Sequence, residues 1–556
     1  MSRSKSWCLA ALSCLVASSS VALAHDDDPK ILDMQPAYTG PGIRNGQWTN
    51  GSGPANSNMF PAQGVQLLSW LALPDLSPGA SAGNDCWGYV SPSGREYALI
   101  GISNGTAIVE VTNPNNATLI KHITGPNSTW RDIKVFQNYA YAVSEGGSGI
   151  QVIDMSQVDS GVVTLVKSVT GPGTNATHNV AIDTDSGYLY RCGGSSEGIR
   201  VYDLNADPST PTWVGTWSTK YVHDIQVVTY TSGPAAGKQI GYACTGFNGG
   251  WSQPGLSVLD VTDKANITVL KEVFWSQPGY SHQAWLSEDR QYLYLGDELD
   301  EQNSGIPTRK LVIDVSDPAN AFLVGSFNNG NPAIDHNAYT RGSLLYAGNY
   351  RAGIRIFDTT NQTSPTEVAY FDTWPANDNP NFNGIWSVYP YFPSKVVLGS
   401  DTDKGLFVWW VPNPLNPAKT YCTGKINSQG CTPSLTFEGG ASLSAPAPFT
   451  ITATNVINQK PGLLFYGFAS ASLPFHGGTM CVQAPITRTQ VQSSAGNPPP
   501  DDCSGGFVYD FNDRIQSGID PALIAGATVF AQFWHRDPVA PFADGLTNAA
   551  EFTIDP

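Results

Sequence analysis

Four histidines recur at one register along this chain, each followed by a polar residue and an apolar run. They read His178-Asn179 before Val180-Ala181-Ile182, His223-Asp224 before Ile225-Gln226-Val227, His282-Gln283 before Ala284-Trp285-Leu286, and His336-Asn337 before Ala338-Tyr339. Half of the eight histidines therefore sit in a single repeated phrase. An imidazole can ligate a transition metal through one nitrogen while an acceptor fixes the other, and it can carry a proton near neutral pH. A set of them beside carboxylates would suit a metal centre or general acid–base chemistry. The competing expectation is structural: duplication copies a His into each repeat, where it ties one repeat's opening to the next. Nearby in sequence, Asp297-Glu298-Leu299-Asp300-Glu301 is a dense acidic run that leads into Asn303-Ser304-Gly305, a loop whose oxygens could take calcium.

The elements that position these residues follow from the period. Seven short apolar strands share one grammar: Thr106–Val111, Gly149–Asp154, Gly198–Asp203, Gly255–Asp260, Lys310–Asp314, Gly353–Asp358 and Gly405–Trp410. Each is preceded by an opening phrase, namely Cys86-Trp87-Gly88, Trp130-Arg131-Asp132, the four His phrases, and Ile385-Trp386-Ser387. Four short strands in every unit of roughly 40–60 residues are the mark of β-propeller blades rather than of a helical solenoid. The seventh unit breaks at Val411-Pro412-Asn413-Pro414 before a fourth strand, and Val65–Pro74 reads like the missing one. An N-terminal strand closing the last blade would cover an open sheet edge. The Asp residues ending third strands (Asp154, Asp203, Asp260, Asp314, Asp358) precede turns and read as caps of their own backbone.

In a propeller the first strand of each blade lines the channel, and the second runs back beside it. The start of the first strand and the end of the second therefore share a face. The expected binding face gathers Trp87, Trp130, Arg131, Asp132, Glu145, His178, His223, Asp224, His282, His336, Asn349, Arg351, Trp386 and Asp401. A metal there would draw on His178, His223, His282, His336, Asp297 and Glu298.

Composition bounds the rest. Net charge is −17 with charged residues at 13% and no Lys/Arg cluster, which argues against nucleic acid or an anionic membrane as partner. Arg3 and Lys5, an apolar run from Trp7 to Ala17, and Ala22-Leu23-Ala24 read as a signal peptide over 1–24, removed on export. No later stretch approaches the ~20 apolar residues of a membrane helix. Residues 25–63 read as an extended or poorly ordered arm, 64–411 as the propeller, and 421–556, after a Pro/Asn linker, as a β-sandwich-like module. Cys422, Cys431, Cys481 and Cys503 in that module read as two disulfides, Cys422–Cys431 and Cys481–Cys503 being the simplest of three connectivities. Cys86, Cys192 and Cys244 lie in the repeats.

Several longer phrases, in order, resemble the LVIVD-repeat proteins and more closely the choice-of-anchor B family. These are Trp130-Arg131-Asp132-Ile133, His223-Asp224, Asp297–Gln302, Asn349–Gly353 and Phe382–Pro390. The resemblance spans about residues 60–410 and implies a secreted β-propeller followed by a variable anchoring or sorting module, with no established reaction. No nucleophile elbow, phosphate loop, dinucleotide fingerprint or zinc-protease helix is present. The expected protein is a secreted or cell-surface binding propeller, its partner an extracellular protein, a carbohydrate or a small molecule. The alternative is a copper or iron oxidoreductase, or a lyase, with the His set as ligands and a transition metal or calcium as cofactor.

Overall fold

The computed structural model describes residue 30 and residues 33–56, 59–194, 198–246 and 253–555. The proposed signal segment lies outside the described residues. Strand dominates, because Val, Ile and Tyr alternate with small residues between turns rich in Gly, Asn and Asp. Small antiparallel sheets of four consecutive strands open at Gly83–Val90, Arg131–Phe136, Asn179–Asp183, Asp224–Thr229, Ser281–Leu286 and Ala338–Arg341. A further sheet joins Ile385–Tyr389, Val396–Asp401 and Gly405–Trp410 to Gln66–Leu71 from the start of the chain. The first strands of successive sheets touch, and Ile385–Tyr389 returns to touch Gly83–Val90, so they close a ring around one axis. This is a β-propeller.

The repeated sequence grammar has a geometric counterpart. Third and fourth strands slip register at one equivalent place in every sheet: Ile108/Val109, Val152/Ile153, Val201/Tyr202, Val258/Leu259, Val312/Ile313, Ile356/Phe357 and Val408/Trp409. A bulge there bends the outer strand and adds the twist that packs one sheet on the next. The last of these shifts falls against Gln66–Leu71, which thus occupies a fourth-strand position. The five third-strand Asp side chains cap the following turns, as in Ser156 N to Asp154 Oδ1 at 2.8 Å and Thr360 N to Asp358 Oδ1 at 2.8 Å.

Both faces of each sheet are buried, so alternate residues of a strand serve different cores. In Tyr139–Ser144, Ala140 and Ala142 pack toward Tyr97 and Leu99 on one side. Tyr141 and Val143 pack toward Val180 and Leu189 on the other. The closing strand is anchored by Trp70, fully buried, stacked on Phe407 at 5.3 Å and donating from Nε1 to the Lys404 carbonyl at 2.7 Å.

The segment expected as a loose arm is extended but held in place over its described part. Ile43–Arg44 and Gln47–Trp48 add to the sheet of Gln66–Leu71, Ala62–Gln63 pairs with Thr366–Phe371, and Tyr38 packs on Trp70 at 4.9 Å. Beyond the ring, two sheets enclose one core of Phe449, Phe507, Phe511, Phe533 and Phe552. One contains Pro461–Gly467, Thr528–Arg536 and Asp544–Thr553; the other contains Ser434–Glu438, Thr450–Val456 and Gly505–Asp510. The disulfides here are Cys422–Cys481 and Cys431–Cys503. That corrects the pairing of sequence neighbours: Cα separations of 6.3 and 6.5 Å arise because the fold brings together positions 59 and 72 residues apart. Cys86, Cys192 and Cys244 are free and buried. Among the described residues no helix is long and apolar enough to cross a membrane.

Candidate functional site

Each imidazole of the repeated phrase projects from the beginning of a channel-lining strand, and the four form one continuous arc. Ring centroids lie 4.1 Å apart from His178 to His223, from His223 to His282 and from His282 to His336. Their exposures are 5, 2, 1 and 1% in chain order. Aromatic rings bound the arc: Tyr350 and Trp386 at 4.7 Å from His336, Tyr280 at 5.3 Å from His223, and Trp130 at 6.3 Å from His178.

Backbone carbonyls orient two of these rings. Nδ1 of His223 donates to the His282 carbonyl at 2.8 Å, and Nδ1 of His336 donates to the Trp386 carbonyl. A carbonyl oxygen only accepts, so those Nδ1 atoms carry the proton and the Nε2 lone pairs point the other way. His178 pairs through Nδ1 with Glu145 Oε1 at 2.6 Å. Glu298, just past the second strand Tyr292–Asp297, turns its carboxylate into the arc. Oε1 stands 3.5 Å from His336 Nε2 and Oε2 stands 3.7 Å from His282 Nε2. The Tyr350 hydroxyl donates to Oε1 at 3.0 Å, and Lys30 of the N-terminal arm brings its ammonium to 2.8 Å. Burial holds His223, His282 and His336 well below the usual imidazole range, and the charge of Lys30 pushes in the same direction. These imidazoles are therefore neutral. Neither ring nitrogen of His282, nor Nε2 of His336, has a hydrogen-bond partner among the described residues. Beside Lys30 and Trp386, with Met34 and Phe382, lies a cavity of about 20 Å³, space for one water molecule.

One residue further along each inner strand, a polar layer spans the channel. It holds Asp85, Asp132, Asn179, Asp224, Gln283, Asn337 and Ser387, so the polar residue after each His has its own task. Asp132 Oδ2 accepts from Val180 N at 2.8 Å, Asn179 Nδ2 donates to the His223 carbonyl at 3.1 Å, and Gln283 exchanges both amide hydrogen bonds with Ala338 at 3.1 Å. Asn337 Nδ2 donates to Asp85 Oδ2 at 3.1 Å and to Ser387 Oγ at 3.3 Å. These bonds lace neighbouring sheets together, which is the structural role expected of a duplicated phrase, carried by the residue after the His. Lys134 centres the acidic part, with Nζ 2.5 Å from Asp132 Oδ1, 3.9 Å from Asp85 Oδ2 and 4.6 Å from the Trp87 ring centre. Burial pushes the Asp85 carboxyl up to about 7 and that of Asp224 up to about 8, only partly offset by Lys134. Burial opposes the charge of Lys134, yet the surrounding Asp132, Asp85 and Asp224 hold its pKa above the ordinary lysine value.

The opposite mouth is a cavity of about 250 Å³ lined by Trp87, Lys134, Asp183, Asp224, Trp285, Arg290 and Tyr339. A larger concavity of about 830 Å³ lies away from the channel, where Gln63–Leu68 meets the chain at Pro412–Ala418 and Phe437–Ala441. It is a seam between packed sheets and loops, and the buried imidazoles and carboxylates described above do not line it.

The expected face is thus split into layers. Trp130, Trp386, Glu145 and the four His come together at one end. Trp87 does not: it packs on Tyr339 and Tyr389 at 5.7 and 5.0 Å, toward the other mouth. The opening of the first repeat is Asn84-Asp85, not Cys86-Trp87, because Asp85 holds the register of Asp132 and Asp224. Asp224 likewise belongs to the polar layer and the far cavity. Arg131 turns between sheets, donating to the Ile102 and Pro126 carbonyls. Asn349 is fully buried. Arg351 clamps Asn383 and Asn377, and Asp401 Oδ1 caps the backbone of Asp403 and Lys404 at 2.9 and 2.8 Å.

The acidic run also divides. Asp297 accepts from Trp275 Nε1, Gly279 N and Tyr280 N and pairs with Arg309, so it is not a ligand beside the His set. Asp300 pairs with Arg309 at 2.5 Å, and Glu301 accepts from Asp335 N at 3.2 Å. Asp297 and Asp300 share Arg309, while Asp300 and Glu301 lie beside Asp335, which pairs with Lys310, so this buried acidic group is offset by the protein's own cations. The atoms of His282, Glu298 and His336 do converge, all within 4.8 Å of one another, whereas His178 and His223 stand outside this trio. Lys30 and Asp85 were not singled out from sequence. Aligning the repeats on the polar residue after each His would have found Asp85; nothing local marks Lys30.

The site geometry sits on a recognisable repeat. Residues 308–329 match the LVIVD repeat. That LVIVD repeat spans the third and fourth strands Arg309–Asp314 and Phe322–Asn328, including the register shift at Val312/Ile313. No curated protein matches the chain. Among solved structures it is similar to a protein from Lactobacillus plantarum, at 16% identity over 53% of this chain and 84% of that one, with a TM-score of 0.40. It is also similar to U3-55K, at 10% identity over 62% and 98%, TM-score 0.41. A third is Kuenenia stuttgartiensis hydrazine synthase, at 13% identity over 58% and 94%, TM-score 0.40.

Proposed function

We propose that this chain is an exported binding protein of the extracellular or cell-surface space. In this reading it is a seven-bladed propeller of the choice-of-anchor B type, closed by Gln66–Leu71, with a β-sandwich-like module from residue 421 onward. The closed ring of inner strands and the repeated register shift support the blade count. The separate aromatic core and two disulfides support the module, and disulfides suit an oxidising compartment.

The binding face is the His end of the channel. One observation carries this. The lone pair of His336 Nε2 faces a carboxylate oxygen 3.5 Å away, and His282 faces the other oxygen at 3.7 Å, in a site 1–3% exposed. A buried imidazole lone pair set against a buried carboxylate costs free energy that folding does not need, so this end of the channel favours an electron-poor group there, the place the Lys30 ammonium takes on Glu298. The oxidoreductase or lyase reading is not favoured, because the imidazoles are enclosed at 1–5% exposure.

Native mass spectrometry of the chain isolated from its own exported fraction tests this reading. The expected result is a non-covalent adduct, of any mass, that is lost in a His282→Ala/His336→Ala variant retaining the wild-type far-ultraviolet spectrum. A bare polypeptide mass in every preparation would overturn it.

A further inference from the structure

We propose that the ligand is a single divalent transition-metal ion of the zinc class, held by His282 Nε2, His336 Nε2 and one oxygen of Glu298, and that Lys30 is the cation it displaces. This rests on the reading of the His end as a binding face and names the ligand's chemistry.

Three observations carry it. Ligands at about 2.0–2.2 Å from a tetrahedral ion stand about 3.4 Å from one another. His336 Nε2 stands 3.5 Å from Oε1 and His282 Nε2 3.7 Å from Oε2, and one ligand atom from each of the three residues lies within 4.8 Å of the others, so a modest inward shift of the side chains reaches that spacing on a single oxygen. The ligands are also pre-oriented. His336 gives its Nδ1 proton to the Trp386 carbonyl, the outer contact that fixes a metal-binding imidazole with Nε2 free to coordinate. Tyr350 steadies the carboxylate through its Oε1 at 3.0 Å. His282, at 1% exposure, has no hydrogen bond on either nitrogen, so the tautomer that frees Nε2 for an ion breaks no hydrogen bond. Finally, the site already holds a cation. The Lys30 ammonium lies 2.8 Å from Glu298 and 5.1 Å from the Trp386 ring, delivered by the arm rather than by any sheet of the ring. A metal ion in its place would coordinate the two imidazole nitrogens, His282 Nε2 and His336 Nε2, which accept no hydrogen bond among the described residues. Nitrogen donors and a coordination number of three plus water favour zinc-class ions over calcium, which asks for six to eight oxygens.

Titration of the chelator-treated, full-length mature chain with Co²⁺ alone tests this. One equivalent is expected to bind with the visible d–d bands of a tetrahedral nitrogen/oxygen site, and Zn²⁺ should abolish them while Ca²⁺ at the same concentration leaves them. Glu298→Gln should weaken binding by about 100-fold or more, since it removes the ligand's charge. Lys30→Met should tighten it about tenfold by removing the competitor. Absence of cobalt bands in both the wild-type chain and Lys30→Met would overturn the inference, and so would equal affinity in wild type and Glu298→Gln. A native-mass adduct of organic rather than metal mass would overturn the metal while leaving the binding face standing; no adduct at all would remove both.

Discussion

Replacing Asp85 with Asn should stabilise the protein at pH 7.5 and do little at pH 4. Asp85 is 3% exposed, and burial raises its carboxyl from 3.8 to about 7, with a hydrogen bond to Asp132 adding to the effect and Lys134 offsetting part of it. The sign follows from linkage. Between about pH 4 and pH 7 the unfolded chain has released this proton and the native chain has kept it, so stability falls as pH rises through that window and levels off above it. About three units at ~1.4 kcal/mol each give a loss of ~4 kcal/mol. Asparagine removes the titration while keeping the oxygen that accepts from Cys86 N at 2.6 Å. A half-turn of the Asn337 amide, whose Oδ1 has no hydrogen-bond partner among the described residues, would receive the new NH₂. Guanidinium unfolding of wild type and Asp85→Asn at pH 4, 5.5 and 7.5 measures the difference. The variant's advantage should grow by ~4 kcal/mol across the series. An advantage that is constant with pH, or that shrinks as pH rises, would refute the account of this layer.

Other expectations follow from the same contacts. Lys134→Met leaves Asp132 with no cation and should cost ~3–5 kcal/mol at pH 7.5 by denaturant unfolding, the usual penalty for orphaning a buried charge. Trp70→Ala removes a fully buried ring from the closing strand and should cost ~3–5 kcal/mol; a smaller effect than an exposed substitution such as Trp213→Ala would mean that the strand does not close the ring. Peptide mapping without reduction should recover Cys422 linked to Cys481 and Cys431 to Cys503, with Cys86, Cys192 and Cys244 alkylated only after unfolding.

The parts of this structure that could be read in advance are those that repeat. Ile-Arg-Val-Tyr-Asp and its counterparts announce strands because β-branched residues alternate and an Asp caps the turn, so both periodicity and punctuation are local. The His register was visible for the same reason, and the second-strand ends at Glu145 and Glu298 fall where antiparallel pairing must place them. What was missed is non-local. Trp87 looked like the partner of Trp130 and Trp386, but a one-letter match cannot report a register shift, and Asp85 holds the equivalent place. The cysteines pair between segments 59 and 72 residues apart, not with their sequence neighbours. The run from Asp297 to Glu301 reads as one acidic loop, yet a short helix at Asp300–Ser304 sets Asp300 on Arg309 beside Asp297, while Glu298 alone points into the His arc. Lys30 meets Glu298 only because the arm crosses the mouth of the channel, a route that composition does not encode.

The most direct test is a crystal structure of the chain isolated from its own exported fraction, with anomalous data at the edges of the first-row metals. Ligand density is expected between His282, His336 and Glu298, with Lys30 moved off the carboxylate and, for a metal, an anomalous peak ~2.0–2.2 Å from the ligand atoms. Lys30 still seated on Glu298, with no density beyond the side chains themselves, would contradict it.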